Sequence, residues 1–106
     1  MAVEYVKNDT PLLKVTCEED GVAINLSSSA LTATLRWSVN GGSSQTGAMT
    51  KVDAAKGIVS RQWGPTELNA AGTVALEVYI TDDNASGSND LVYTSEIITR
   101  DIRDKL

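Results

Sequence analysis

Few residues of this 106-residue chain could do chemistry, and they do not combine into a catalytic set. The sequence has no histidine, the commonest general base, and its serines cluster in loops without an activating partner. The single cysteine, Cys17, lies on an alternating apolar face, so we expect a small buried side chain and not a nucleophile. Glu18, Glu19 and Asp20 adjoin a predicted turn, where such carboxylates are usually solvated. We therefore predict that the protein is not an enzyme.

One stretch matches the first half of a calcium-binding loop. Asp82, Asn84 and Ser86 occupy alternate positions, and Gly87 stands where such loops turn sharply. The twelfth position, which requires a bidentate glutamate, is Tyr93, and the flanking residues are typical of strands instead of helices. The pattern predicts a polar hairpin loop, with no metal ion and no cofactor.

Charge and hydropathy argue against two classes of partner. The formal net charge is -5 and the nine Lys and Arg residues are scattered, which disfavours binding to nucleic acid. No stretch reaches the roughly 20 apolar residues of a membrane helix. The segment Met1–Asp9 lacks the basic and apolar regions of a signal peptide, which predicts an intracellular site of synthesis.

Alternation of apolar and polar residues indicates strands almost throughout. The two longest series are Leu31, Ala33, Leu35, Trp37, Val39 and Val74, Leu76, Val78, Ile80. Shorter runs occur at Leu13–Cys17, Val22–Leu26, Ala48–Val52, Ile58–Trp63 and Leu91–Ile98. Strands with one apolar face must pack together, and we expect Trp37 and Trp63 to anchor one sheet each.

Turn residues separate these runs, beginning with the hairpin signal Asp20-Gly21. The sequence predicts an all-β fold, an immunoglobulin-like β-sandwich of about seven antiparallel strands. The predicted divisions are an N-terminal arm over residues 1–10, the sandwich over 11–98 and a C-terminal tail over 99–106.

The two chain ends are the predicted contact regions. The arm carries apolar residues outside the main alternation and could pair as an edge strand, whereas the four-residue spacing near the C-terminus could line one face of a helix. Simple capping of the domain by both ends remains an equal alternative. The residues predicted to contact partners are Val3, Tyr5, Val6, Ile98, Ile102 and Leu106.

An ordered set of short motifs carries a family resemblance. These are Asn8-Asp9-Thr10-Pro11-Leu12-Leu13, Asp20-Gly21, Asn25-Leu26, Asp53-Ala54-Ala55-Lys56-Gly57-Ile58-Val59, Trp63 and Ala71-Gly72-Thr73. In this order they resemble the immunoglobulin-like N-terminal domain of phage baseplate upper proteins and related tail fibres. The resemblance runs from Val3 to Ile98; each motif alone is ordinary turn chemistry, and the order supplies the specificity.

The resemblance implies a bacteriophage virion structural protein of the tail, baseplate or fibre-attachment region. Its partners would be other virion proteins, in a homo-oligomer or symmetric multi-copy assembly. Family members usually continue into a fibre, whereas this sequence stops at Leu106, which favours an adaptor or decoration module. A capsid decoration or head-fibre base protein is one alternative. A carbohydrate-binding module using Tyr79 and Tyr93 is another, and a small acidic regulatory protein is a third.

Overall fold

A computed structural model describes residues 4–83 and 89–106, with the backbone alone at 89 and 90. Within these ranges the chain forms strands and one short 3₁₀ helix, Ala54–Lys56, so the predicted all-β fold is confirmed. The strands are β1 (Tyr5–Val6), β2 (Leu12–Thr16), β3 (Glu18–Glu19), β4 (Val22–Ala23), β5 (Leu31–Val39), β6 (Gln45–Ala48), β7 (Thr50–Asp53), β8 (Ile58–Gln62), β9 (Gly72–Asp83), β10 (Asn89–Thr94) and β11 (Ile98–Arg103).

The larger sheet is built around the two strands with the strongest alternation. Its order is β1-β11-β9-β5-β6, and β10 pairs with β9 on the same side as β11. β5 and β9 pair antiparallel in the register Leu35↔Val78, which places their apolar residues on one face. The β1–β11 pair is parallel, so the sheet is mixed, and the prediction of antiparallel strands is wrong for this pair.

The smaller sheet has the order β2-β8-β7, and β3 and β4 form a separate hairpin. Asp20 and Gly21 both have positive φ, 53° and 77°, as expected for the tight hairpin turn that the sequence predicts. β6 and β7 are separated only by Met49, whose N–H donates to the carbonyl of Ala33. The chain therefore passes from one sheet to the other at Met49.

The inner faces of both sheets contribute to one hydrophobic cluster. Trp37 comes from β5 of the larger sheet, and Trp63 directly follows β8 of the smaller sheet, as predicted. Their rings meet edge to face with centroids 5.2 Å apart. The buried hydrophobic residues are Tyr5, Leu13, Cys17, Leu26, Ala33, Leu35, Trp37, Val59, Trp63, Leu68, Val74, Leu76, Val78, Ile80 and Ile102.

The helical face proposed for the C-terminal segment is wrong, because β11 occupies most of it. A four-residue spacing is an even spacing, so Ile98 and Ile102 also share one face of a strand. That face packs on the core. β1 and β11 extend the sheet beyond the predicted 11–98 range at both ends.

Candidate contact surface

The structure divides the predicted contact residues between core and surface. Tyr5 and Ile102 are buried, and the Tyr5 ring packs on Trp63 with centroids 5.8 Å apart. Their side chains therefore contribute to the core. Val6 is half-buried on β1, and Leu106 is fully exposed.

Of the two remaining residues, Ile98 is half-buried and packs against the core cluster. Val3 lies outside the described residues.

Parallel pairing of β1 with β11 brings the two predicted regions together. Tyr5 is opposite Ile102, and the Lys7 N–H donates to the carbonyl of Arg103 over 2.8 Å. An exposed ion pair joins Arg103 to Glu4 at 3.2 Å. Within its described residues the arm thus forms an edge strand, Tyr5–Val6, as its apolar residues predict.

A second ion pair joins the two terminal segments further along, with Lys105 Nζ 3.0 Å from Asp9 Oδ1. Both pairs are largely solvated, so each contributes little to stability. Together with the β1–β11 ladder they define a terminal surface, made of Glu4–Asp9 and Arg103–Leu106.

Sequence reasoning missed an open groove between β2 and the β10–β11 connection. It has a volume of about 240 Å³. Its lining residues are Val15, Thr16, Glu18, Tyr93, Ser95, Glu96 and Ile98. Because these residues come from distant parts of the chain, no local pattern could have assembled them.

The groove is acidic and partly apolar. Glu18 and Glu96 are exposed at its border, and no lysine or arginine lines it. Burial raises the pKa of Tyr93, and the nearby Cys17, Glu18 and Glu19 act in the same direction, while a backbone hydrogen bond with Glu18 opposes them. Cys17 is fully buried, as predicted, and burial raises the pKa of its thiol.

A largely buried ion pair lies elsewhere, against the two indoles. Glu67 accepts two hydrogen bonds from Arg61, of 2.7 and 2.8 Å, and one from the Gly64 N–H of 2.6 Å. The Arg61 guanidinium lies 4.7 Å from the Trp37 ring centroid and 5.8 Å from that of Trp63.

Hydrogen bonding from Arg61 lowers the pKa of Glu67, although burial partly opposes the shift. Because both charges are satisfied inside the chain, removal of either partner would destabilise the fold, and the cluster offers no free group for chemistry.

The aromatic platforms of the carbohydrate alternative are poorly presented. Trp37 and Trp63 are 2% and 1% exposed. Tyr79 is half-buried and is covered by the Arg36 guanidinium, 4.7 Å from the ring centroid. Tyr93 is half-buried in the groove. The structure therefore gives no flat exposed aromatic surface to a sugar among the described aromatic residues.

Two groups of sequence candidates remain, namely the acidic residues beside the first predicted turn and the calcium-like pattern. In the hairpin β3–β4, Glu18, Glu19 and Asp20 are exposed, as predicted. The calcium-like pattern places Asn84, Ser86 and Gly87 outside the described residues. Across residues 4–83 and 89–106 no three acidic, cysteine or histidine side chains are grouped to hold a metal ion. In the same ranges no helix is long and apolar enough to cross a membrane.

No protein-family model matches the chain, and no curated protein matches it significantly. Among solved structures it is similar to the N-terminal domain of phage TP901-1 ORF48, with a TM-score of 0.76 at 12% sequence identity. The alignment covers 96% of this chain and 84% of that chain. A likeness at this identity shows a shared fold, and the fold is that of a domain from a phage protein.

Proposed function

We propose that the chain is a bacteriophage virion structural protein of the tail, baseplate or fibre-attachment region, where it acts as an adaptor or decoration module. The observation that carries the proposal is the match of 96% of the chain to a phage protein's N-terminal domain. The ordered motifs of the sequence, which resemble phage baseplate and tail-fibre domains, support it independently. Fold likeness alone does not fix function, so the site must also fit the role.

The surfaces of the molecule fit a role in protein contacts. The polar cluster of Arg61 with Glu67 is satisfied internally. By contrast, the terminal surface exposes Leu106, and Val6 is half-buried beside it on the β1 edge. We assign partner contacts to this surface, with Val3 adjoining it in sequence. Repetition around a symmetry axis would strengthen a modest contact in each copy.

The proposal is tested by the position of the gene and the fate of its product. We expect the gene to lie among tail morphogenesis genes, and mass spectrometry of purified particles to detect the protein in a symmetric copy number. Immunogold labelling at the distal tail supports the tail assignment. Labelling over the capsid supports the alternative of a capsid decoration or head-fibre base protein. A product that is monomeric and absent from particles contradicts both.

A pair of surface variants tests the terminal contact. Leu106→Asp should reduce incorporation into particles, because it puts a charge into the proposed apolar contact. Leu106 is fully exposed, so the change should leave the fold intact. Val52→Asp is the matched control, since Val52 is also exposed but lies on β7 of the smaller sheet. Equal incorporation of the two variants would contradict a contact at Leu106.

A further inference from the structure

β10 is an edge strand that no other described strand covers on its outer side. β9 takes β5 along one side and β10 and β11 along the other. β1 covers β11 only at Ile102 and Arg103. The edge from β10 to the first part of β11 is therefore open within the described chain.

The backbone of this edge is oriented to accept another strand. The Ser95 N–H donates to the carbonyl of Val78 over 2.8 Å, so Ser95 turns its backbone toward β9. Backbone direction alternates along an antiparallel strand. Thr94, opposite Tyr79 and exposed, therefore directs its N–H and C=O outward.

The same edge exposes large apolar side chains. Leu91 and Val92 are 64% and 50% exposed, and Ile97, in the link to β11, is 70% exposed. A register shift between Leu91 and Tyr93 interrupts the ladder at Val92. The segment contains neither lysine nor proline, which commonly protect an edge strand from pairing.

Charge indicates what this edge would bind. Glu96 lies within it, Glu18 faces it across the groove, and Asp82 and Asp83 end the neighbouring strand β9. A second copy of the chain would bring the same negative groups to the same edge, which is unfavourable. A segment with alternating apolar and basic residues complements both the groove and its charge.

We propose that the β10 edge and the adjoining groove bind an extended apolar and basic segment of a partner protein by strand addition. The added strand would hydrogen-bond to the outward backbone groups of β10, its apolar side chains would contact Val92 and Ile98, and its basic side chains would meet Glu18 and Glu96. This inference rests on the proposed role as a contact module and names the partner's chemistry.

A peptide titration tests this directly. The probe is a capped octapeptide of alternating Lys and Val, added to the ¹⁵N-labelled full chain at low salt. We expect amide shifts confined to residues 91–98 and 15–18, weakening as salt is added. The Glu/Val counterpart should not bind. A Lys/Val probe N-methylated on every backbone amide should bind weakly, because it keeps the charge but has no backbone N–H to donate into a ladder.

Charge reversal supplies the matched variants. Glu96→Lys should weaken binding of the Lys/Val probe about fivefold, the size expected for a partly exposed charge pair. Asp101→Lys makes the same charge change at an exposed site on β11, outside the β10 edge and the terminal surface, and should leave affinity unchanged.

Three results would overturn the inference. They are no binding of the Lys/Val probe, binding of the N-methylated probe as tight as that of the unmethylated one, or amide shifts at the β10 edge that appear when the protein alone is concentrated. The last would make a second copy the occupant. If the Lys/Val peptide does not bind but the protein is found in virions, the proposed partner chemistry is rejected and the proposed function stands.

Discussion

Replacing Glu67 by glutamine should destabilise the domain by about 2 kcal/mol. The side chains of Arg61 and Glu67 are only 17% and 21% exposed, and Glu67 accepts three short hydrogen bonds. Glutamine keeps one acceptor oxygen but turns an NH₂ group toward an Arg61 donor. Loss of a hydrogen bond to a charged group costs roughly 1.5–3 kcal/mol, and partial exposure favours the lower half of that range.

Urea unfolding measures this loss, with Trp37 and Trp63 fluorescence as one probe and circular dichroism as a second. For an m-value between about 1 and 2 kcal/mol/M the midpoint should fall by roughly 1–2 M. The control is Glu77→Gln, which breaks the 3.0 Å pair with Arg36 on the outer sheet face, where the Arg36 side chain is 46% exposed. That variant should lose about 0.5 kcal/mol or less.

The pH dependence gives the sharper check. Arg61 holds the pKa of Glu67 below its unfolded value of about 4.3, so the contribution is present above that value. It is lost as the pH falls through the folded pKa, when both states bind the proton. The gap between wild type and Glu67→Gln should therefore narrow in acid. A gap that equals the Glu77→Gln effect at pH 7, or stays constant into acid, would refute the role assigned to this pair.

Three further outcomes follow. A Cβ at Gly47 would lie 2.8 Å from Arg61 Cζ, so Gly47→Ala should cost about 1–3 kcal/mol in urea unfolding and nearly nothing in an Arg61→Ala background. Gly57→Ala should cost at least about 1 kcal/mol more than Gly21→Ala, because both have positive φ but only at Gly57 does a Cβ meet a backbone carbonyl, that of Cys17, at 2.6 Å. The Cys17 thiol should react with a disulfide reagent far faster in urea than in buffer, and rapid native labelling would contradict its burial.

The sequence predicts the centre of the fold better than its margins. In β5 and β9 the period-two alternation identifies the buried face, and both strands lie where expected. At β11 the same signal is ambiguous, because Ile98 and Ile102 satisfy a strand face and a helix face alike. Pairing with β9 and β1 decides between them, and that pairing is not local in sequence.

The sequence carries a signal for the Arg61 cluster. Arg61 stands two residues from both Val59 and Trp63, so alternation places it on the inner face, where an arginine needs an anion. Glu67 is close to Arg61 along the chain and could be proposed as that anion. The position of Gly47 next to the Arg61 side chain depends instead on how β6 lies over β8, which is not local in sequence. The groove beside β10 is harder still to predict from the sequence, because its shape depends on the distance between the two sheets.

The parallel pairing of β1 with β11 also sets how the domain carries tension. In a parallel pair the N-terminal end of one strand and the C-terminal end of the other lie at opposite ends, so a force separating residues 4 and 106 slides β1 along β11. The ladder and the Lys7–Arg103 bond are then strained together and not one after another. Single-molecule pulling through these ends should meet a shear barrier, and unzipping at low force would contradict it. A domain held at its two ends thus has β1 and β11 aligned with the load, and the hydrogen bonds between them share it.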